Sequence, residues 1–333
     1  MQGANPVLIE VTRGGMVESR HRGAAVVVDS QGRTVAAWGD VEALIYPRSS
    51  IKPIQALPLI ESGAADRYQV GAEEIALACA SHGGEPAHVD RVTAWLARNE
   101  FSERDLECGA HPPSEADSAA DLIRARRPAS AVHNNCSGKH AGMLLTARHL
   151  GEPTQGYIDI GHPVQRRLRM LLADLGGCEL ERVPSGIDGC GIPVYAMPLK
   201  SLALAMARLA DPETLPGARA DAARRVVAAM TAHPHLVAGR GRFDTEIMTA
   251  AKGAVAVKGG AEGVHAAILP ALKLGIALKI DDGGAGRASG IAMAALLARL
   301  KALPEDRLSD WLERPVLNVA GRRVGAIRSA ADW

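Results

Sequence analysis

The segment Arg48-Ser49-Ser50-Ile51-Lys52-Pro53 sets a serine and a lysine three residues apart, a spacing that brings both to one face of a helix. A neutral lysine amine there can take the Ser49 hydroxyl proton and leave an oxygen nucleophile for acyl transfer. The start of the helix adds unpaired N–H groups able to receive an oxyanion. With 16 Ser and 8 Lys in 333 residues, random placement gives about 0.4 Ser-x-x-Lys pairs, and this is the one present. By itself the pattern suits equally a helix-capping Ser49 beside a solvated Lys52.

Two further stretches carry the same residue types. Ser81-His82-Gly83-Gly84-Glu85-Pro86 ends an apolar run just ahead of an expected helix, with small residues that let backbones approach closely; an ordinary elbow between two elements would read the same way. Ala-Val-Ala-Val257-Lys258-Gly259-Gly260 puts a lysine at the end of a β-run, where an exposed strand end also favours lysine. A different chemistry is offered by His133-Asn-Asn-Cys136-Ser137-Gly138-Lys139-His140 together with Asp188-Gly189-Cys190-Gly191-Ile192-Pro193. Two thiolates with a nitrogen donor suit Zn²⁺ better than Mg²⁺ or Ca²⁺, although no Cys-x-x-Cys or His-x-x-x-His spacing accompanies them, and two buried structural cysteines fit the same residues. Asp281-Asp282-Gly283-Gly284-Ala285-Gly286 lacks the third glycine of a dinucleotide fingerprint and any following βαβ unit, so it reads as a tight strand-to-helix turn.

The elements that must position these residues follow from periodicity. Arg22 to Asp40 reads as a β-hairpin turning at Ser-Gln-Gly. Ala254 to Lys258, Leu274 to Ile280 and a pair within Val316 to Ile327 read as further strands. Helical period runs through Ile51 to Glu61, Ala87 to Arg98, Gly142 to Leu150, Val164 to Leu175, Leu202 to Leu209, Ala222 to Thr231 and Ala288 to Leu300. Strands at both ends and helices between them predict one sheet completed by the terminal segments, with a large helical region inserted. The loosest stretch, Asp211 to Ala218, is too short for a tether, so one domain over 1–333 is expected.

Composition bounds the function. Lys and Arg total 38 against 37 Asp and Glu, and the chain has only 2 Phe, 4 Trp and 4 Tyr. It therefore offers neither the field nor the stacking surface that a nucleic acid needs. No run reaches the length of a membrane span. The opening Met-Gln-Gly-Ala-Asn-Pro carries no basic segment followed by an apolar one, and the five cysteines are an odd count in a long chain. Together these lead to an expected cytoplasmic location with reduced thiols.

As an ordered set, Arg48-Ser49-Ser50-x-Lys52-Pro53, Ser81-His82-Gly83-Gly84-Glu85, His133-Asn-Asn-Cys136-Ser-Gly-Lys139-His140, Gly186-x-Asp188-Gly-Cys190-Gly-x-Pro193 and Val257-Lys258-Gly-Gly resemble the asparaginase II family, the class 3 or Rhizobium-type L-asparaginases. The resemblance extends from Asn5-Pro6-Val7 to the final strands. It implies an α/β (α+β) fold similar to serine β-lactamases and serine glutaminases, with a central antiparallel sheet and a large helical region. It also implies a homodimer that hydrolyses L-asparagine to L-aspartate and ammonia. Two Ser-Lys tandems carried over from the family match Ser49 with Lys52 and Ser81 with Lys258. The family's zinc ligands match Cys136, Lys139 and Cys190, and Arg48, His140 and Asp188 fall at substrate-binding motif positions.

The chemistry has its own requirements. Amide hydrolysis needs a nucleophile, a base that passes a proton to departing ammonia, and oxyanion donors. A lysine with a free pKa near ~10.4 works as that base around neutrality only if burial and like charge lower it by several units. Lys258 and Arg48 converging on Lys52 would do so, with Ser81 as a bridge between amines. Because asparagine and glutamine differ by one methylene, worth about 1 to 3 kcal/mol, a glutaminase is the near rival. A penicillin-binding or β-lactamase-type serine acyl enzyme is a more remote one, since no Ser-Asp-Asn or Lys-Thr-Gly occurs.

Overall fold

The computed structural model describes residues 4–331 and 333, so Met1 to Gly3 of the N-terminal stretch considered above lie outside the described residues. The expected hairpin forms between Met16–Asp29 and Thr34–Trp38. Its turn is held by the Asp29 carboxylate, which accepts the N–H groups of Gln31 and Arg33 at 3.0 Å each.

Around this hairpin an eight-stranded sheet is built entirely from antiparallel pairs. Its order runs Glu313–Leu317, Arg323–Ser329, Val7–Arg13, Met16–Asp29, Leu274–Ile280, Val264–Leu269, Ala256–Gly259, with Thr34–Trp38 paired to Met16–Asp29 off this path. The two ends of the chain thus meet side by side, Val11 opposite Ile327, as the order of elements predicts. Met16–Asp29 alternates burial in its first half and is buried on both faces from Ala24 to Val28. The helix Leu199–Ala210 packs against this half and against Leu274–Ile280, burying Leu199, Leu202, Met206 and Leu209. The mixed fold with a central antiparallel sheet and an inserted helical region is therefore as the sequence leads one to expect.

The helices Pro86–Arg98, Ser137–His149, Pro163–Gly176, Gly217–Ala232 and Gly290–Arg299 match the periodic stretches within a few residues. Ile51 to Glu61 differs. It is broken into a 3₁₀ turn at Arg48–Ile51 and two short helices, Lys52–Gln55 and Leu57–Glu61. Pro53 and Pro58 each sit in the first turn of a new segment, where the missing N–H costs nothing but where the preceding helix cannot continue. Val7–Arg13 and Val264–Leu269 are strands that no expectation covered; the second is buried along its whole length and so shows none of the alternation that marks a half-exposed strand. No helix among the described residues is long and apolar enough to cross a membrane.

Candidate active site

Ser49, Ser81 and Lys258 line one cleft of about 720 Å³, together with Asn135, Arg242 and Asp244. Five separate parts of the chain meet here. Ser49 is the second residue of the 3₁₀ turn, partly exposed, and its N–H belongs to the first turn, which has no partner within the helix. The residue before it, Arg48, is held at φ 50°, a left-handed conformation that costs a residue with a side chain roughly 1–2 kcal/mol. Ser81 lies in the extended stretch after the helix Ala72–Ala78, its N–H bonded to the carbonyl of Val237 at 2.9 Å. Lys258 is the third residue of the edge strand Ala256–Gly259.

The lysines are both buried, Lys52 at 1% exposure and Lys258 at 2%. Lys52 Nζ donates to the Ala80 carbonyl and, at 3.0 Å, to Ser81 Oγ. Lys258 Nζ donates to its neighbour's carbonyl, Gly259 O, at 2.6 Å and lies 3.8 Å from Asp244 Oδ2. Burial lowers the Lys258 pKa to about 8; Asp244 opposes the shift, and the charges of Lys52 and Arg242 add to it. Asp244 is itself held well below the usual carboxylate range: burial pushes it up, but the charge and hydrogen bond of His265, 2.8 Å away, outweigh this with help from Lys258 and the Gly259 N–H.

Two glycines let the parts approach. A Cβ on Gly260 would sit 2.9 Å from the Pro47 carbonyl and 3.4 Å from Ser49 N, so only glycine allows the strand carrying Lys258 to press on the Ser49 turn. A Cβ on Gly138 would collide with the Leu77 carbonyl. Without it the helix Ser137–His149 can lie against the helix that leads into Ser81.

The start of the helix Ser137–His149 contributes Cys136 and Lys139 to a neighbouring cluster that Cys190 completes from a distant loop. Cys136, Lys139 and Cys190 are buried at 5%, 3% and 4% exposure, and Lys139 Nζ donates to Cys190 Sγ at 3.0 Å. A hydrogen bond with Cys190 holds the Cys136 thiol well below its ordinary range against the cost of burial, helped by the amines of Lys139 and Lys52. Cys190 is correspondingly pushed up, by that bond and by burial. Burial opposes a charge on Lys139, but Cys136 and Cys190 more than offset it and raise the amine's pKa. Two buried sulfurs and a nitrogen, Lys139 touching Cys190 and Cys136 acting on both, form a donor set that fits Zn²⁺.

The remaining expectations are met in part. Arg48 does not join the lysines: its Nε and Nη2 donate to Asp188 Oδ1 at 3.1 and 2.9 Å, and burial's upward pull on Asp188 is overcome by this pairing, which keeps the carboxyl below its usual range. Asp188 in turn acts on Lys139, so the ion pair borders the thiol cluster. His140 is fully buried against Tyr157, Nδ1 to the hydroxyl at 2.9 Å, and it is not among the residues that line the cleft. The tandem contacts also differ. The hydrogen bond present is Lys52 to Ser81, and neither Ser49 to Lys52 nor Ser81 to Lys258 is joined among the described residues, because the extended stretch brings Ser81 and the Ala80 carbonyl together onto the Lys52 amine. Arg242, Asp244 and His265 were not anticipated. Asp244 lies on the short helix Phe243–Ala251 and His265 on a fully buried strand; neither stands in a motif, and only their pairing across the fold reveals them.

The sequence profile of the family described as L-asparaginase II matches residues 9–329. No curated protein matches the chain. Among solved structures, Mglu is similar at a TM-score of 0.47 and 18% identity over 84% of this chain and 67% of that one. Two other Mglu structures are spanned over 61% and 65% of their length. A β-lactamase from Mycobacterium bovis is similar at a TM-score of 0.43 and 16% identity, over 83% of this chain and 94% of that one.

Proposed function

The chain belongs to the L-asparaginase II family, and we propose that it hydrolyses the side-chain amide of L-asparagine to L-aspartate and ammonia through a Ser49 ester. The observation that carries this reading is the cleft that holds Ser49, Ser81 and Lys258 while Lys52 reaches Ser81 from behind. Ser49 Oγ attacks the amide carbon. Its proton enters the pair of buried amines, of which Lys258 is lowered to about 8 chiefly by burial, with the charge of Lys52 adding to the shift. Ser81, already accepting from Lys52, is placed to pass that proton on. The carbon–nitrogen bond then breaks as ammonia leaves with the proton. Water attacks the aspartyl ester, the same amines accept its proton, and Ser49 is restored. The Ser49 N–H, free in the first helical turn, is the oxyanion donor this chain supplies.

Cys136, Lys139 and Cys190 would hold Zn²⁺, with Lys139 binding as the neutral amine. When bound, the ion supplies a fixed positive charge that shapes the pocket and favours the substrate's amino-acid head group. The Arg48–Asp188 pair borders this cluster and would contact the same head group, whereas His140 would act from behind it, through Tyr157. The same reading makes the protein one catalytic domain, a cytoplasmic homodimer. Ammonia release from asparagine and glutamine, measured side by side, tests the substrate: a higher kcat/KM for asparagine supports the reading, and a preference for glutamine would replace it with a glutaminase.

A further inference from the structure

Glu85, His88 and His235 each offer one ligand atom lying within 4.8 Å of the others. We propose that they bind a second divalent transition-metal ion of the Zn²⁺ type, which clamps Glu85 and the start of the helix Pro86–Arg98 to the helical turn Pro234–Val237. Glu85 and His88 are buried at 4% and 0% exposure. His88 Nε2 is bonded to the His235 carbonyl at 2.9 Å, while its Nδ1 is buried without any partner. A ring that gives one N–H to a carbonyl and keeps the other lone pair free is the arrangement of a metal-ligating histidine with its orienting contact in place.

The carboxylate is arranged in the same sense. Glu85 Oε1 accepts the Arg240 N–H at 2.9 Å, and Oε2 lies 3.3 Å from His235 Nε2. The rings of His88 and His235 are stacked, with centroids 5.2 Å and planes 15° apart, so the exposed His235 ring must turn to bring its lone pair onto an ion held by His88 and Glu85. His235 is 44% exposed at its side chain, which gives an ion a way in and leaves a position for water. Two imidazoles and one carboxylate suit Zn²⁺, Co²⁺ or Ni²⁺ and not Ca²⁺ or Mg²⁺. The site is distinct from Cys136, Lys139 and Cys190. It joins the helix Pro86–Arg98 to the helical turn Pro234–Val237, whose Val237 carbonyl holds Ser81.

Titrating the chelator-stripped, full-length protein with Co²⁺ separates the two sites by colour, since only thiolates give intense sulfur-to-cobalt charge-transfer bands. The expected result is a cobalt equivalent with weak d–d absorption alone, present in Cys136→Ser and displaced by Zn²⁺. Its affinity should fall at least about tenfold in His235→Ala and in Glu85→Gln. Wild-type protein that binds cobalt only with thiolate bands, or not at all, would overturn the proposal. So would a d–d signal of unchanged affinity in both variants. Loss of the charge-transfer bands alone bears on the cysteine site and leaves this one standing.

Discussion

Lys258, which lines the cleft, and Lys139, in the thiol cluster, are shifted in opposite directions by their neighbours. Lys258 and Lys139 are both buried, and burial pushes both toward the neutral amine. Lys258 faces one carboxylate and two cations, and its pKa falls to about 8. Lys139 faces two thiols, one of them held as an anion, and its pKa rises. The same side chain is thus biased toward the neutral amine in one pocket and toward the ammonium in the other, where an incoming Zn²⁺ would have to displace its proton. What separates them is the charge within a few ångströms, since the degree of burial is nearly equal.

The comparison is broken most severely at the amine pocket. Ser49→Ala should lower kcat by at least roughly a thousandfold with substrate binding retained, read by steady-state kinetics and calorimetric titration. Lys258→Met should cost about 10²- to 10⁴-fold in kcat as a lost proton acceptor, while Lys258→Arg should be as poor, because guanidinium stays charged. In the wild type, kcat/KM should rise as the pH climbs through about 8, the value at which Lys258 gives up its proton. Asp244→Asn sharpens the contrast: without the anion the Lys258 pKa drops further, and the alkaline rise in a pH–rate profile should move toward lower pH by about one unit.

The sulfur cluster should respond more weakly and in another parameter. Chelation, or Cys136→Ser, should raise KM for asparagine about tenfold with a smaller change in kcat, measured alongside metal content. Zn²⁺ affinity should fall as the pH is lowered, since Lys139 and both cysteines must lose their protons to bind. The smallest effect concerns stability. Folded Lys258 has its pKa below the ordinary lysine value of 10.5, so between about 8 and 10.5 the unfolded chain binds more protons than the folded one. Stability should therefore rise with pH across that window, and the rise should vanish in Lys258→Met, as followed by urea denaturation.

How much of this was legible in the sequence differs between the same two regions. In the sulfur cluster the two cysteines stood out in their Gly-containing turns, whereas Lys139 was named only through the family resemblance; the structure buries all three and joins Lys139 to Cys190. The amine pocket was read as residues but not as contacts. Lys52 meets Ser81 because of how the stretch after Ala78 runs across the lysine, a long-range fact with no local signature. Arg48 was expected beside the lysines, yet a carboxylate 140 positions along the chain claims it. Asp244 and His265, which set the charge around Lys258, come from a helix and a buried strand whose sequences announce only packing. The fold itself was more open to reading: Leu274–Ile280 was placed to the residue, while Val264–Leu269 escaped because full burial erases periodicity.

The central claim is a covalent ester on one hydroxyl. Acid-quenching the enzyme during turnover of asparagine, followed by peptide mass mapping, tests it most directly. The account predicts an aspartyl adduct on the peptide containing Ser49, absent from Ser49→Ala. An adduct on Ser81 instead, or a Ser49→Ala protein that releases ammonia at the wild-type rate, would contradict it.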